Sequence, residues 1–181
     1  MGCSIVEIKA LPSTIKAPVL YWHIDRFASG EQARAAVGPT RIAFEGHGTW
    51  WLTSVEAKTD DHHGGEHAGA VKLPPLPDAP SYSMLVLSAY LPGRTTSRVH
   101  FHSGVEAFYA ISGEQCLETA ERAIPLKPGD TFALPTGATM RFVATGETPR
   151  RALAVIVYDS TKPPTTRKPM EMASELVSCT K

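Results

Sequence analysis

The sequence predicts an all-β fold built from antiparallel strands, and three observations carry that prediction. From Ser81 to Asp159, short apolar or alternating segments recur between glycines and prolines. Helix signals are sparse along the whole chain. No internal repeat is present, which removes solenoids and propellers and leaves a sandwich or barrel.

Taken in order, the first element is a helix. Ser29 with Gln32 forms a capping-box pattern, "ARAAV" follows, and Gly38-Pro39 stops the run, so two turns is its limit. His23, beside Trp22 upstream, reads as a structural histidine. "RIAFEGHGTWWLTSVEA" reads as two strands turning at Gly46-His47-Gly48. Trp50 and Trp51 point to opposite faces there, one into the core and the other toward a pocket or interface. Residues 58 to 81 read as a loop, with Asp60-Asp61-His62-His63 solvated and four prolines following from Pro74 to Pro80. "YSMLVLSAYL" is apolar on both faces, as in a strand covered on both sides. Further strands are expected over 98–102, 106–111, 115–118, 131–134 and 140–144, and "RALAVIVYD" is again apolar throughout. From Thr161 onward the chain reads as a tail, with a turn of helix in "MEMASELV".

A length of 181 residues suits one domain over 1–181. Eighteen basic residues balance eighteen acidic ones, and no basic block exceeds the pairs Arg150-Arg151 and Arg167-Lys168. Neither nucleic acid nor an acidic membrane surface is an expected partner. No apolar run reaches transmembrane length, and the first twenty residues lack a signal-peptide pattern. Cys3, Cys116 and Cys179 are an odd, scattered set that suits a reducing compartment, so a cytoplasmic location is expected. Cys116 reads as buried and inert, and a Cys3–Cys179 bridge is the alternative. Strands apolar on both faces also predict a covered exterior, hence a homodimer.

The chemistry concentrates in "RVHFHSGVEAFYAISG", residues 98 to 113. His100 and His102 share one face of a strand with Cα atoms about 6.5 to 7 Å apart, close enough to converge on one ion. Glu106 has the same parity, but on a straight strand it lies about 13 Å beyond His102. A reversal at Ser103-Gly104 is therefore required, with Gly104 supplying the backbone freedom.

His-x-His, three residues, Glu, six residues, Gly resembles the first motif of the cupins at His100, His102, Glu106 and Gly113. Gly129, Pro135 and Gly137, in "GDTFALPTGATM", are similar to the second motif. Pro128 and Gly129 also suit the central positions of a type II turn. The resemblance covers roughly residues 80 to 160, leaving 1–79 as an N-terminal extension with extra strands. It implies a double-stranded β-helix, or jelly-roll barrel, around one divalent transition metal: iron, manganese, nickel, zinc or copper. Cupins usually supply a third histidine where this chain has Met140. The implied ligands are thus His100, His102 and Glu106, with His47, His67 or Met140 as a possible fourth. Met140 also suits plain packing of the interior.

Arg98, Met140 and Phe108 are expected to line a substrate pocket. Arg98 faces the cavity by its parity with His100 or else points to water from the rim. Glu106, when not a ligand, is the candidate general base. The expected function is metal-dependent chemistry on a small molecule, dioxygenase-like or of isomerase or lyase type. The alternative is a non-catalytic ligand-binding or sensory cupin, with a structural or storage role third.

Overall fold

The computed structural model describes residues 2–15, 17–58 and 63–179. In chain order its strands are β1 (Gly2–Ala10), β2 (Tyr21–Phe27), β3 (Arg41–Gly46), β4 (Thr49–Glu56), β5 (Glu66–Lys72), β6 (Tyr82–Leu91) and β7 (His100–His102). They continue with β8 (Gly104–Ser112), β9 (Gln115–Thr119), β10 (Ala123–Leu126), β11 (Thr131–Leu134), β12 (Met140–Ala144), β13 (Arg150–Asp159) and β14 (Thr165–Arg167). One short helix, α1 (Gly30–Ala35), is capped by Ser29, whose hydroxyl accepts from the Gln32 amide at 3.3 Å as the capping pattern predicts.

The strands form three antiparallel sheets. Two are five-stranded, in the orders β1-β6-β13-β8-β11 and β10-β9-β12-β7-β14, and the third has the order β3-β4-β2-β5. The two five-stranded sheets face each other as an all-β jelly roll. Its interior is packed by Leu85, Leu87, Phe108, Leu117, Met140, Phe142 and Ile156. The alternation along β6 and β13 sends Met84, Val86, Leu153, Val155 and Val157 to the opposite face. There they meet Trp22, Ile24, Ile42, Phe44, Trp51 and Val55 of the four-stranded sheet in a second core.

That second core explains why β6 and β13 are apolar on both faces. The cover is the chain's own N-terminal sheet, so two-faced apolarity gives no support to a second copy. Trp51 is buried in this core, whereas Trp50 lies half-buried under the Arg34 guanidinium, 4.4 Å from the ring centre. Trp50 lines a surface concavity of about 490 Å³ together with Arg26, Gln32 and Glu66.

Several expectations need correction. The segment 58–81 contains β5, an edge strand held by β2, whose sequence "EHAGAVK" carries too few β-branched residues to advertise itself. The residues 59–62, with Asp60, Asp61 and His62, lie outside the described residues. The strand expected from Arg98 starts only at His100. The tail from Thr161 supplies β14, paired with β7, and a 3-10 turn over Met170–Glu175. Cys116 is bonded to Cys179, with Cα atoms 6.1 Å apart, and Cys3 is the free, exposed cysteine. The bridge joins a buried strand to the C-terminal segment, a pairing that spacing alone does not reveal. No helix among the described residues is long and apolar enough to cross a membrane.

Candidate metal centre

β7 belongs to one five-stranded sheet and β8 to the other, with Ser103 between them. The required reversal is therefore a switch of sheets that folds Glu106 over the histidines. Gly104 serves it through space: a Cβ there would collide with the Val157 carbonyl oxygen and the Tyr158 backbone, and its φ is not positive. Positive φ belongs instead to Gly113 (78°), Gly129 (93°) and Gly137 (79°). At Gly129 that value and the bond from Asp130 N to Lys127 O, 3.0 Å, fit the expected type II turn. The Gly137 turn ties the second motif to the first, since its amide donates to the His102 carbonyl at 2.9 Å.

His100, His102 and Glu106 come together, each offering a ligand atom within 4.8 Å of the others. The two imidazoles stand edge to face with centroids 5.0 Å apart. His100 Nδ1 contacts the Arg98 carbonyl at 2.7 Å, and His102 Nδ1 contacts the Pro164 carbonyl at 3.1 Å and the Thr165 hydroxyl at 3.0 Å. A carbonyl only accepts, so Nδ1 carries the proton on each ring and Nε2 keeps its lone pair. This is how proteins commonly orient histidine ligands.

His102 Nε2 then lies 3.0 Å from Glu106 Oε2, both atoms buried and neither making a geometrically acceptable hydrogen bond. Two lone-pair donors facing at that distance need a cation between them or a proton on Nε2. The residues thus fit a divalent ion. Burial opposes charge on both rings. It prevails at His100, whose pKa is lowered, whereas at His102 the Glu106 carboxylate outweighs it and the pKa is raised.

The other expected participants lie elsewhere. His47 sits in the β3–β4 turn with Nε2 3.0 Å from Ser88 Oγ, and burial lowers its pKa. His67, on β5, pairs with Asp25 at 3.1 Å. Neither joins the cluster, because both belong to the N-terminal sheet on the far side of β6 and β13. Met140 is directly opposite His100, 1% exposed, and packs the interior. Phe108 is buried with its ring 4.7 Å from Phe142, filling the interior. Arg98 is exposed, since residues 97–99 precede the strand and its parity does not extend to them. Pro164 and Thr165 went unrecognised in the sequence. They lie in the apparent tail, and only the β14–β7 pairing brings them to His102.

Residues 86–156 match the Cupin domain family. His100, His102 and Glu106 all lie within this matched cupin domain. No curated protein matches it. Among solved structures it is similar to a cupin-like protein from Thermotoga maritima, at 15% identity over 51% of this chain and 69% of that one, TM-score 0.45. It is also similar to the polyketide cyclase RemF from Streptomyces resistomycificus, at 21% identity over 46% and 59%, TM-score 0.41. A Cupin 2 conserved barrel domain protein from Salinispora arenicola matches at 22% identity over 43% and 65%, TM-score 0.40. The chain covers less than two thirds of the length of the latter two.

Proposed function

We propose that this protein holds one divalent transition metal through His100, His102 and Glu106 and acts on a small molecule at that ion. The reading rests on one observation: backbone carbonyls fix both imidazoles beside the Glu106 carboxylate, and the buried His102 Nε2 and Glu106 Oε2 face each other without a hydrogen bond. Two histidines and one carboxylate leave coordination positions open, and an ion bound there supplies Lewis acidity and a place for oxygen or a carbonyl. Dioxygenase-type oxidation leads, with isomerase or lyase chemistry beside it. Without the ion, His102 and Glu106 can instead share a proton between Nε2 and Oε2, 3.0 Å apart.

A second reading, a non-catalytic ligand-binding or sensory cupin, draws support from Met140 and the Phe108–Phe142 packing that fill the interior. The sheet and core continuity suits a single domain over 1–181, and the Cys116–Cys179 bond favours an oxidising compartment over the cytoplasm.

Elemental analysis of protein purified without chelators, beside His100→Ala, tests the reading. About one equivalent of a single transition metal is expected in the wild type and almost none in the folded variant. Unchanged metal content in the variant refutes the site. A wild type that also resists loading with iron, manganese, copper and zinc leaves the ligand-binding reading.

A further inference from the structure

The jelly-roll interior is layered in polarity. On β13, Arg150, Ala154 and Ile156 sit opposite Leu91, Leu87 and Leu85 of β6, three residues of the interior core. Across the roll, Gln115 pairs with Ala144 and Leu117 with Phe142, again interior residues. Glu106 stands opposite Ile156. The histidine–glutamate cluster therefore occupies one end of the interior, the Phe108–Phe142 pair the middle, and Arg150 with Gln115 the other end.

Arg150 and Gln115 are each 2% exposed. Arg150 Nε donates to Gln115 Oε1, and its guanidinium carbon lies 3.9 Å from the centre of the Phe142 ring. That is the one hydrogen bond of the Arg150 side chain among the described residues, and no carboxylate pairs with it there. Burial pushes its pKa down to about 10, against the opposing influence of Cys3 and Glu106. Gln115 Nε2 is buried with no acceptor. A buried cation with no carboxylate in contact, beside an amide whose Nε2 has no acceptor, is costly, and proteins keep such groups when something pairs with them.

We propose that Arg150 and Gln115 form a carboxylate-binding site at the end of the roll opposite His100, His102 and Glu106. The planar guanidinium fork matches a two-oxygen anion, whose single charge neutralises the single cation. The Arg150 Nη atoms donate to the carboxylate, and Gln115 Nε2 completes its acceptor capacity. Phe142 closes one face of the guanidinium and directs the anion to its edge. The site needs no metal and stands or falls apart from the proposed function.

The test follows thermal unfolding of the metal-free full chain against increasing sodium acetate, with sodium chloride at matched ionic strength as the control. A saturable rise in Tm with acetate alone is expected, absent in Arg150→Met, which keeps the volume and removes the charge. Should Arg150→Met not fold, Gln115→Leu decides, with the acetate response weakened about fivefold or more. Equal responses to acetate and chloride mean an adventitious ion only and overturn the proposal. So does no response in the wild type, or one that survives in the deciding variant.

Discussion

At the scale of single residues, the candidate centre depends on atoms that never touch an ion. Pro164 and Thr165 turn the His102 ring so that Nε2 faces Glu106, and such supporting contacts commonly tune metal affinity by 10- to 100-fold, roughly. Thr165→Val removes the hydroxyl and keeps the Pro164 carbonyl, so a loss of about tenfold in affinity is expected, at the lower end of that range. Competition against a chromogenic chelator measures it, and an unchanged constant would show that the carbonyl alone sets the ring. His100 and His102 were legible in the sequence because alternation on a strand is a local property. Of the two places open to Arg98, the structure shows the exposed one, because parity holds only inside a strand and the strand begins at His100.

Among elements, the C-terminal segment does more than a tail. β14 extends the sheet beside β7, the Val177 amide donates to the Thr119 carbonyl at 2.8 Å, and Cys179 bonds to Cys116. The bridge closes a separation of 63 residues. Cys179→Ser is expected to lower stability by about 2–4 kcal/mol. Denaturant unfolding with and without reductant checks it: the wild type should fall to the variant's level under reduction, and the variant should not respond. Helix α1 and the β3–β4 hairpin were legible because capping, turn residues and alternation are written locally. β5 and β14 were not, since each is an edge strand whose conformation is held by its one neighbour.

For the whole molecule, the N-terminal sheet takes the place that a partner was expected to fill over β6 and β13. The surface left for self-association lies elsewhere. Among the described residues β1 is a nine-residue edge strand paired with β6 alone, and Ile5 and Ile8 are 62% and 51% exposed. Edges of this kind pair with other strands unless they are blunted. We propose a homodimer formed along β1, with Ile5→Lys converting it to monomer at unchanged fold. Light scattering after size exclusion decides it, and a monomeric wild type at high protein concentration ends the proposal.

By itself the sequence determined the all-β class, the jelly-roll motifs and the membership of His100, His102 and Glu106 in one cluster. The class and the cluster follow from period, turn chemistry and short spacing, which act over a few residues, and the jelly roll from the resemblance of the two motifs to those of the cupins. Tertiary structure alone decided that Glu106 arrives from the opposite sheet, that His47 and His67 stay away, and that Cys116 bonds to Cys179. It also placed Arg150 in the interior and Arg98 outside. Each of these joins segments distant in the chain, and the free energy that selects them comes from burying the two cores, which no local pattern encodes.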